Sequence, residues 1–416
     1  MPRGFYFIMA AQFFSALADN ALLIVAMGIL RQLEAPPEYE PLLKLFFTLS
    51  YVLLAAFVGA FADSMPKWRV MLITNTIKIV GCLLIVFGVH PLLGYAIVGV
   101  GAAAYSPAKY GILTEYLPHR LLVVANGWIE GLTVGAIILG TLLGGALVAP
   151  GLVARFDAWF PWLHNGLWVS LLVVVLVYGA AALCNLYVPD TGVAHVPLKK
   201  NPLYLLHEFG HYFLLLWRDK LGQISLAVTT LFWGAGATLQ FIVLKWAEVN
   251  LGLPLSQASM LQGVVAVGIA AGAVAAAKWV ALRDAPRVIP LGIVMGFAAI
   301  GMIFVHSLAL AAVLMIAIGA LAGFFVVPMN AMLQHRGHVL MGAGHSIAVQ
   351  NFNENLAILV MTGLYALLLR YDLPVHQVIT LFGLFVAGTM IAIWAWHRAN
   401  QRRIDSLHLL EMVERH

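Results

Sequence analysis

Charge is scarce in this sequence. Asp, Glu, Lys and Arg make up 10% of its 416 residues, against about a quarter in an average globular chain. So few charges cannot cover the apolar surface of a soluble fold this size. Water is therefore excluded as the solvent for most of the chain. Cysteine is scarcer still. The two present, Cys82 and Cys184, sit inside apolar runs, and no C-x-x-C occurs. That argues against a disulfide framework and a zinc ribbon, and says little about redox compartment. The formal charge of +5 might point to nucleic acid in a soluble protein. In a chain that is 62% hydrophobic it reads instead as loop charge that sets membrane orientation, and no nucleic-acid partner is expected.

A helix needs about 20 apolar residues to cross hydrocarbon. Twelve such runs are present. Six precede a polar connection, near 5–31, 42–63, 69–89, 92–116, 123–149 and 166–188. Six follow it, near 222–246, 256–281, 288–305, 309–333, 341–369 and 375–396. Gly and Pro recur inside them, as Gly99, Pro107, Gly323 and Pro328, which membrane helices tolerate because neighbouring helices re-satisfy the freed backbone.

Basic residues set the orientation. With both termini cytoplasmic, that side holds most of the Lys and Arg, among them Arg3, Lys67, Arg69, Lys199, Lys200, Arg218, Arg336 and Arg402. The opposite side keeps only Arg31, Lys44, Arg155, Lys245 and Arg370. The bias, about threefold, puts both ends in the cytoplasm. "SALA" before Asp19 looks like a signal-peptidase site, but the apolar run resumes at once from Ala21 to Leu30. The segment is therefore read as a span.

The two halves repeat. Residues 14–24 lie on 232–242, so that Phe14 meets Phe232 and Ile24 meets Ile242. "GAFADSMPKWRV" from Gly59 has a degenerate counterpart from Gly272, and Pro107 falls opposite Pro328. The same order in the same sense means a parallel repeat, and secondary transporters built this way bind substrate near the midplane, between the halves. The expected organisation is a bundle over 1–188, a cytoplasmic linker over 189–221, a second bundle over 222–397 and an amphipathic cytoplasmic tail over 398–416.

Within the linker, "PLYLLHEFGHYFLLLW" mixes aromatic and aliphatic residues with His and Glu. It reads as a helix on the membrane surface. It also contains His207-Glu208-Phe209-Gly210-His211, a literal H-E-x-x-H. On a helix that spacing puts two imidazoles on one face to bind zinc, with Glu as general base. A catalytic zinc usually takes a third protein ligand, none is evident, and Gly210 weakens the helix. Neither a metal nor a cofactor is expected.

Ionisable residues inside a span are functional candidates by default. They are Asp19 in span 1, Lys78 in span 3, Lys109 in span 4, Glu130 in span 5 and Glu354 in span 11. Amides accompany them: Asn20, Asn75, Asn126, Gln240, Asn330, Gln350 and Asn351. Asp19 is too deep and too short to reach the interface, whereas Lys78 could snorkel on its long stem. The amides could equally serve helix–helix hydrogen bonding. The charges could also pair with one another. Spans 6, 9 and 12 carry no charge in their middles and read as lipid-facing scaffold.

"GVGAAAYSPAKYGIL", from Gly99 to Leu113, resembles the bacterial lysophospholipid transporter (LplT-type) family of the major facilitator superfamily. So do "ALADNALL", "GAFADS", "LFWGAGATL", "GFFVVPMNAMLQ" and "GAGHSIAVQNFNEN", in order through both halves. The resemblance implies an all-α integral membrane fold of twelve transmembrane helices in two six-helix bundles, related by pseudo-two-fold symmetry. It implies flipping of lysophosphatidylethanolamine and lysophosphatidylglycerol across the bacterial inner membrane to the cytoplasmic leaflet. There a partner acyltransferase/acyl-carrier-protein synthetase would reacylate them. No His stands five positions before an Asp, so that partner is expected as a separate chain. The resemblance makes Asp63 the acid of the span 2–3 gating motif, with Gly59, Arg69 and Pro107 as further gating candidates. "DSMPKWR" departs from the family's usual D-R-x-G-R-K, and Gln240 stands where a basic residue is expected in span 7.

Physical chemistry runs the same way. A lysolipid head must be shielded while its tail stays in oil. Lys109 and Lys78 would attract phosphate. Asp19 or Glu130 would attract an ammonium or accept from glycerol hydroxyls. With Asn20, Gln240, Asn351 and Glu354 these are the expected substrate contacts. The acids could also relay protons, and a proton-coupled exporter or permease for drugs or small amphiphiles is the alternative.

Overall fold

A computed structural model describes residues 2–117, 119–163, 165–192, 201–341 and 343–403. The expected tail beyond Arg403, and Lys199 and Lys200 in the linker, lie outside the described residues. Every long element among the described residues is a helix. The first half holds α1 (Arg3–Gln32), α2 (Tyr39–Asp63), α3 (Lys67–Val86), α4 (Pro91–Tyr116), α5 (His119–Leu147), α6 (Pro150–Trp159) and α7 (Gly166–Leu186). Then come α8 (Pro202–Arg218), α9 (Gly222–Leu251), α10 (Leu255–Trp279), α11 (Ile289–Ile300), α12 (Leu308–Met341), α13 (Ala343–Arg370) and α14 (Val375–Arg403).

Among the described residues, eleven helical stretches are long and apolar enough to cross a membrane, and a twelfth is reached if α5 and α6, bent 62° at their break, count as one. The chain is a multi-pass membrane protein of the expected all-α class. Helix ends follow local chemistry. Asn165 accepts from the backbone N–H of Leu167 at 3.0 Å and starts α7, as an N-cap amide does. His90 does the same for Leu92 at 3.2 Å, with Pro91 as the first residue of α4, where a missing N–H costs nothing. Gly252 closes α9 with φ +64°, a left-handed turn that suits glycine.

Three details differ from the sequence reading. A short helix, α6, follows the fifth span, because Pro150 can start a helix but not continue one. Trp159 and Trp162 stand exposed around it, as aromatic residues do at a membrane interface. The ninth span is not one α-helix. A 3₁₀ segment over Leu282–Val288 holding Pro286, then α11, then a 3₁₀ turn over Gly301–Phe304 make it up. The tenth span runs on to Met341, so Arg336 is a helical, buried residue and not a loop charge.

The chain divides into two compact units. One takes Met1–Leu205 with Leu253–Gly263 and Thr362–Arg370, and the other takes the rest. In the first unit α1 is the central rod, packed by α5, α7 and α4. Its Leu22, Ile24, Val25 and Met27 have no exposure at all. Ser15, one turn before Asp19 on this helix, is buried as well. Helices α3 and α4 pack closely: a Cβ added at Gly101 would lie 2.7 Å from the carbonyl oxygen of Thr74. In the second unit the Gly268/Gly272 pair of α10 meets the Gly319/Gly323 pair of α12, each pair backed onto the other helix's carbonyls. This is the small-xxx-small contact of membrane helices.

Candidate functional site

The polar residues of the first unit converge on one point. Asp19 projects from α1 and Lys78 from α3, and the lysine ammonium lies 2.8 Å from Asp19 Oδ2. Lys78 is only 2% exposed and Asp19 19%, so Lys78 does not reach the interface. It also donates to Ser15 Oγ at 2.9 Å, one helical turn before Asp19. Ser15 in turn donates to Asn75 Oδ1 at 2.8 Å, one turn before Lys78. Tyr178, in the middle of α7, donates to Asp19 Oδ1 at 2.5 Å. Tyr95 of α4 reaches the Asp19 carbonyl at 3.4 Å. The rings of Tyr105 and Tyr178 flank the ammonium, with centroids at 5.3 and 5.6 Å, at cation–π distance.

This arrangement explains how two charges persist in the middle of spans. Desolvating an ion pair costs several kcal/mol per ion, and mutual attraction offsets that only with good geometry and further hydrogen bonds. Both charges have them. Each Asp19 oxygen has its own donor, and two of the three ammonium protons have oxygen acceptors. The carboxylate keeps lone pairs and some exposure, so it can accept from an ammonium or a hydroxyl.

Lys109 lies one helical turn beyond Tyr105 on the same side of α4. It is half-buried, with its ammonium 4.4 Å from the centroid of the Tyr110 ring. Lys109 is not among the partners of Asp19 or Lys78. The helix passes through Pro107 without ending. Asn20 turns back along α1 to bond the carbonyl of Ala16 at 2.8 Å. The side chains of Glu130 and Asp63 lie outside the described residues.

A second polar group sits in the other unit. Gln350 of α13 donates to Asn330 Oδ1 of α12 at 2.7 Å and to Glu354 Oε1 at 2.8 Å. Both Gln350 and Glu354 are buried, one helical turn apart on one face of α13. Asn351 accepts from Asn355 through its backbone carbonyl at 2.8 Å and is half-buried, as is Gln240 on α9. Asn353 accepts from the indole of Trp217 on α8 at 3.2 Å.

Among the gating candidates, Gly59 has open space where a Cβ would go. Arg69 is exposed and lies 5.2 Å from the centroid of the Trp68 ring. The buried cation of this turn is Lys67. It donates to the carbonyl of Ala62 at 2.8 Å and lies 3.4 Å from Glu115 at the end of α4. Thr191, after α7, donates to the same carboxylate at 2.9 Å. Lys67 thus ties the ends of three spans, a role the motif comparison gave to other positions.

On α8, His207 and His211 are both exposed. The opposite side, with Phe209, Tyr212, Phe213, Leu216 and Trp217, packs on Leu226, Leu333 and Val349.

Sequence reasoning missed Tyr178, Tyr105, Tyr95 and Ser15. The sixth span, read as scaffold because it lacks charge, supplies the second donor to Asp19. The available signal was a tyrosine in the middle of an apolar run, since a buried phenol usually finds a partner.

The chain matches the Major Facilitator Superfamily over residues 8–362. It is 44% identical over 376 residues to the lysophospholipid transporter LplT of Yersinia enterocolitica, covering 90% of this chain and 89% of that one. The LplT of Klebsiella pneumoniae subsp. pneumoniae is 42% identical over 397 residues, covering 95% and 96%. That of Photorhabdus laumondii is 41% identical over 399 residues, covering 96% of each. Among solved structures, the chain superposes with TM-score 0.68 and 16% identity on an inward-facing bacterial homologue of the human lysosomal transporter Spinster, covering 95% of this chain and 97% of that one. A POT family transporter in complex with a thioalcohol-conjugated peptide gives TM-score 0.72 at 11% identity, covering 96% and 97%. At such identities these two show the fold alone.

Proposed function

Because the chain belongs to the major facilitator superfamily, and within it to the LplT lysophospholipid transporter family, we propose that it moves lysophospholipids across the bacterial inner membrane. The direction is toward the cytoplasmic leaflet, and the mechanism is alternating access. The observation that carries this reading is identity of 41–44% along nine-tenths or more of the chain to proteins of that name. The chemistry of the polar groups supports it.

A lysolipid head carries a phosphate, with either an ammonium or hydroxyls beyond it. Lys109, half-buried and outside the Asp19–Lys78 pair, is the first contact for the phosphate. Asp19 receives the ammonium or the hydroxyls, and phosphate is common to both heads. Lys78 acts through Asp19, holding it aimed, because its own ammonium is already engaged at 2.8 and 2.9 Å. Asn20 and Glu130 of the first unit, and Gln240, Asn351 and Glu354 of the second, are the further substrate-binding candidates. The tail stays in lipid or against apolar helix faces. Gly59, Asp63, Arg69 and Pro107 belong to the moving parts, with Lys67 added to them.

The substrates are lysophosphatidylethanolamine and lysophosphatidylglycerol. A separate acyltransferase/acyl-carrier-protein synthetase on the cytoplasmic side takes the delivered lysolipid, and both termini face that side. The boundaries 1–188, 189–221 and 222–397 mark bundle, linker and bundle.

Leaflet-resolved flipping of labelled lysophospholipid by purified protein in proteoliposomes tests the reading, with and without an imposed proton gradient. Flipping above that of protein-free vesicles is expected. Gradient-driven transport of other amphiphiles with no lysolipid movement would replace it with the exporter reading.

A further inference from the structure

Two donors beside Lys78 have no partner among the described residues. They are Asn75 Nδ2 and the phenol of Tyr105, and both atoms are fully buried. Asn75 is 0% exposed and Tyr105 4%. Both residues belong to the surroundings of Lys78. Asn75 is linked to it through Ser15, whose hydroxyl lies 2.8 Å from Asn75 Oδ1 and 2.9 Å from Lys78 Nζ. Tyr105 presents its ring to the ammonium at 5.3 Å. Lys78 has three protons, and oxygen acceptors take two of them. The result is an amide N–H and a phenol O–H, on residues packed around Lys78, without an acceptor among the described residues. Buried donors in folded proteins are rarely left this way, and two neutral donors call for an acceptor such as an oxygen of the substrate head.

We propose that Asn75 and Tyr105 are specificity-determining residues for phosphate: they donate to a phosphate oxygen of the lysolipid head near Lys78 during the transport cycle. The proposal rests on the lysophospholipid reading above. The donors are closed off in this structure, so the contact follows capture at Lys109 and does not replace it. It would make the carrier discriminate for phosphate and against an amphiphile of the same tail that lacks it.

The test uses the full chain in proteoliposomes, as wild type, Tyr105→Phe and Asn75→Leu. The probes are a lysophosphatidylglycerol and a monoacylglycerol of the same acyl chain. Each variant is expected to raise KM for the lysophospholipid about tenfold, the scale of one hydrogen bond to a charged group. The interaction with monoacylglycerol should not change. Tyr105→Phe removes a hydroxyl that has no partner, so its Tm should equal or exceed that of wild type. Unchanged KM in Tyr105→Phe overturns the proposal, as does an equal loss for both probes. A drop in Tm for Tyr105→Phe overturns it too, because the hydroxyl then had a structural partner. If Asn75→Leu fails to fold, Tyr105→Phe alone decides. Wild-type protein that flips no lysophospholipid brings down the underlying reading instead.

Discussion

The hydroxyl of Tyr178 lies 2.5 Å from Asp19 Oδ1, and this bond joins the sixth span to the first. With Lys78 on the other oxygen, the carboxylate is held from two helices at once. A group gripped in this way has a fixed direction, as head-group recognition requires. Its environment also depends on how α1, α3 and α7 pack.

Tyr178→Phe keeps the ring and removes that bond. A hydrogen bond to a charged group contributes about 1.5–3 kcal/mol. The variant should insert normally, unfold at lower temperature and flip lysolipid several-fold more slowly. Thermal unfolding and flipping on the same preparation check this. Wild-type values in both would remove Tyr178 from the site.

Asp19 and Lys78 should behave as a coupled pair. Replacing either one by Ala leaves the other charged and buried, which costs about 3–5 kcal/mol. A double replacement, Asp19→Asn with Lys78→Met, removes both charges and should recover much of that stability. Flipping should stay lost in all three. A double variant no more stable than the singles would mean the two charges do not depend on each other.

Lys109→Ala tests the phosphate contact. The side chain is half-buried, with its ammonium 4.4 Å from the centroid of the Tyr110 ring. Flipping should be abolished with membrane insertion retained. Normal flipping would take Lys109 out of the mechanism.

Arg336 and Asp219 form the buried ion pair of the second unit, at 2.7 Å, with exposures of 6% and 9%. Asp219 also accepts from the backbone N–H of Gly222 at 2.7 Å, at the start of α9. Arg336→Ala should therefore destabilise by about 3–5 kcal/mol. Asp219→Asn, which keeps an acceptor for Gly222, should cost less than Asp219→Ala. Equal losses would show that the cap contributes nothing.

His207→Ala, on the exposed side of α8, should leave flipping and stability within a small margin of wild type. Loss of flipping together with stoichiometric zinc in the wild-type protein would revive the metal reading of His207, Glu208 and His211.

Much of this protein follows from local chemistry. A low charge content and apolar runs of span length are enough for a helical membrane protein, because a backbone in hydrocarbon must bond within its own segment. The approximate positions of the spans, and Asp19 as an ionisable group inside one of them, can be read in one dimension. Contacts between spans cannot. A charge-free sixth span gives no hint that Tyr178 turns inward, since inward and outward faces differ only in what packs against them. Lys78 could have snorkelled, and only the burial of α3 against α4 and α7 directs it to Asp19. Arg336 looked like loop charge until α12 continued past it to meet Asp219. Composition chose the solvent and the helices. Side-chain packing chose which charges meet, because pairing energies depend on distances between segments far apart in the chain.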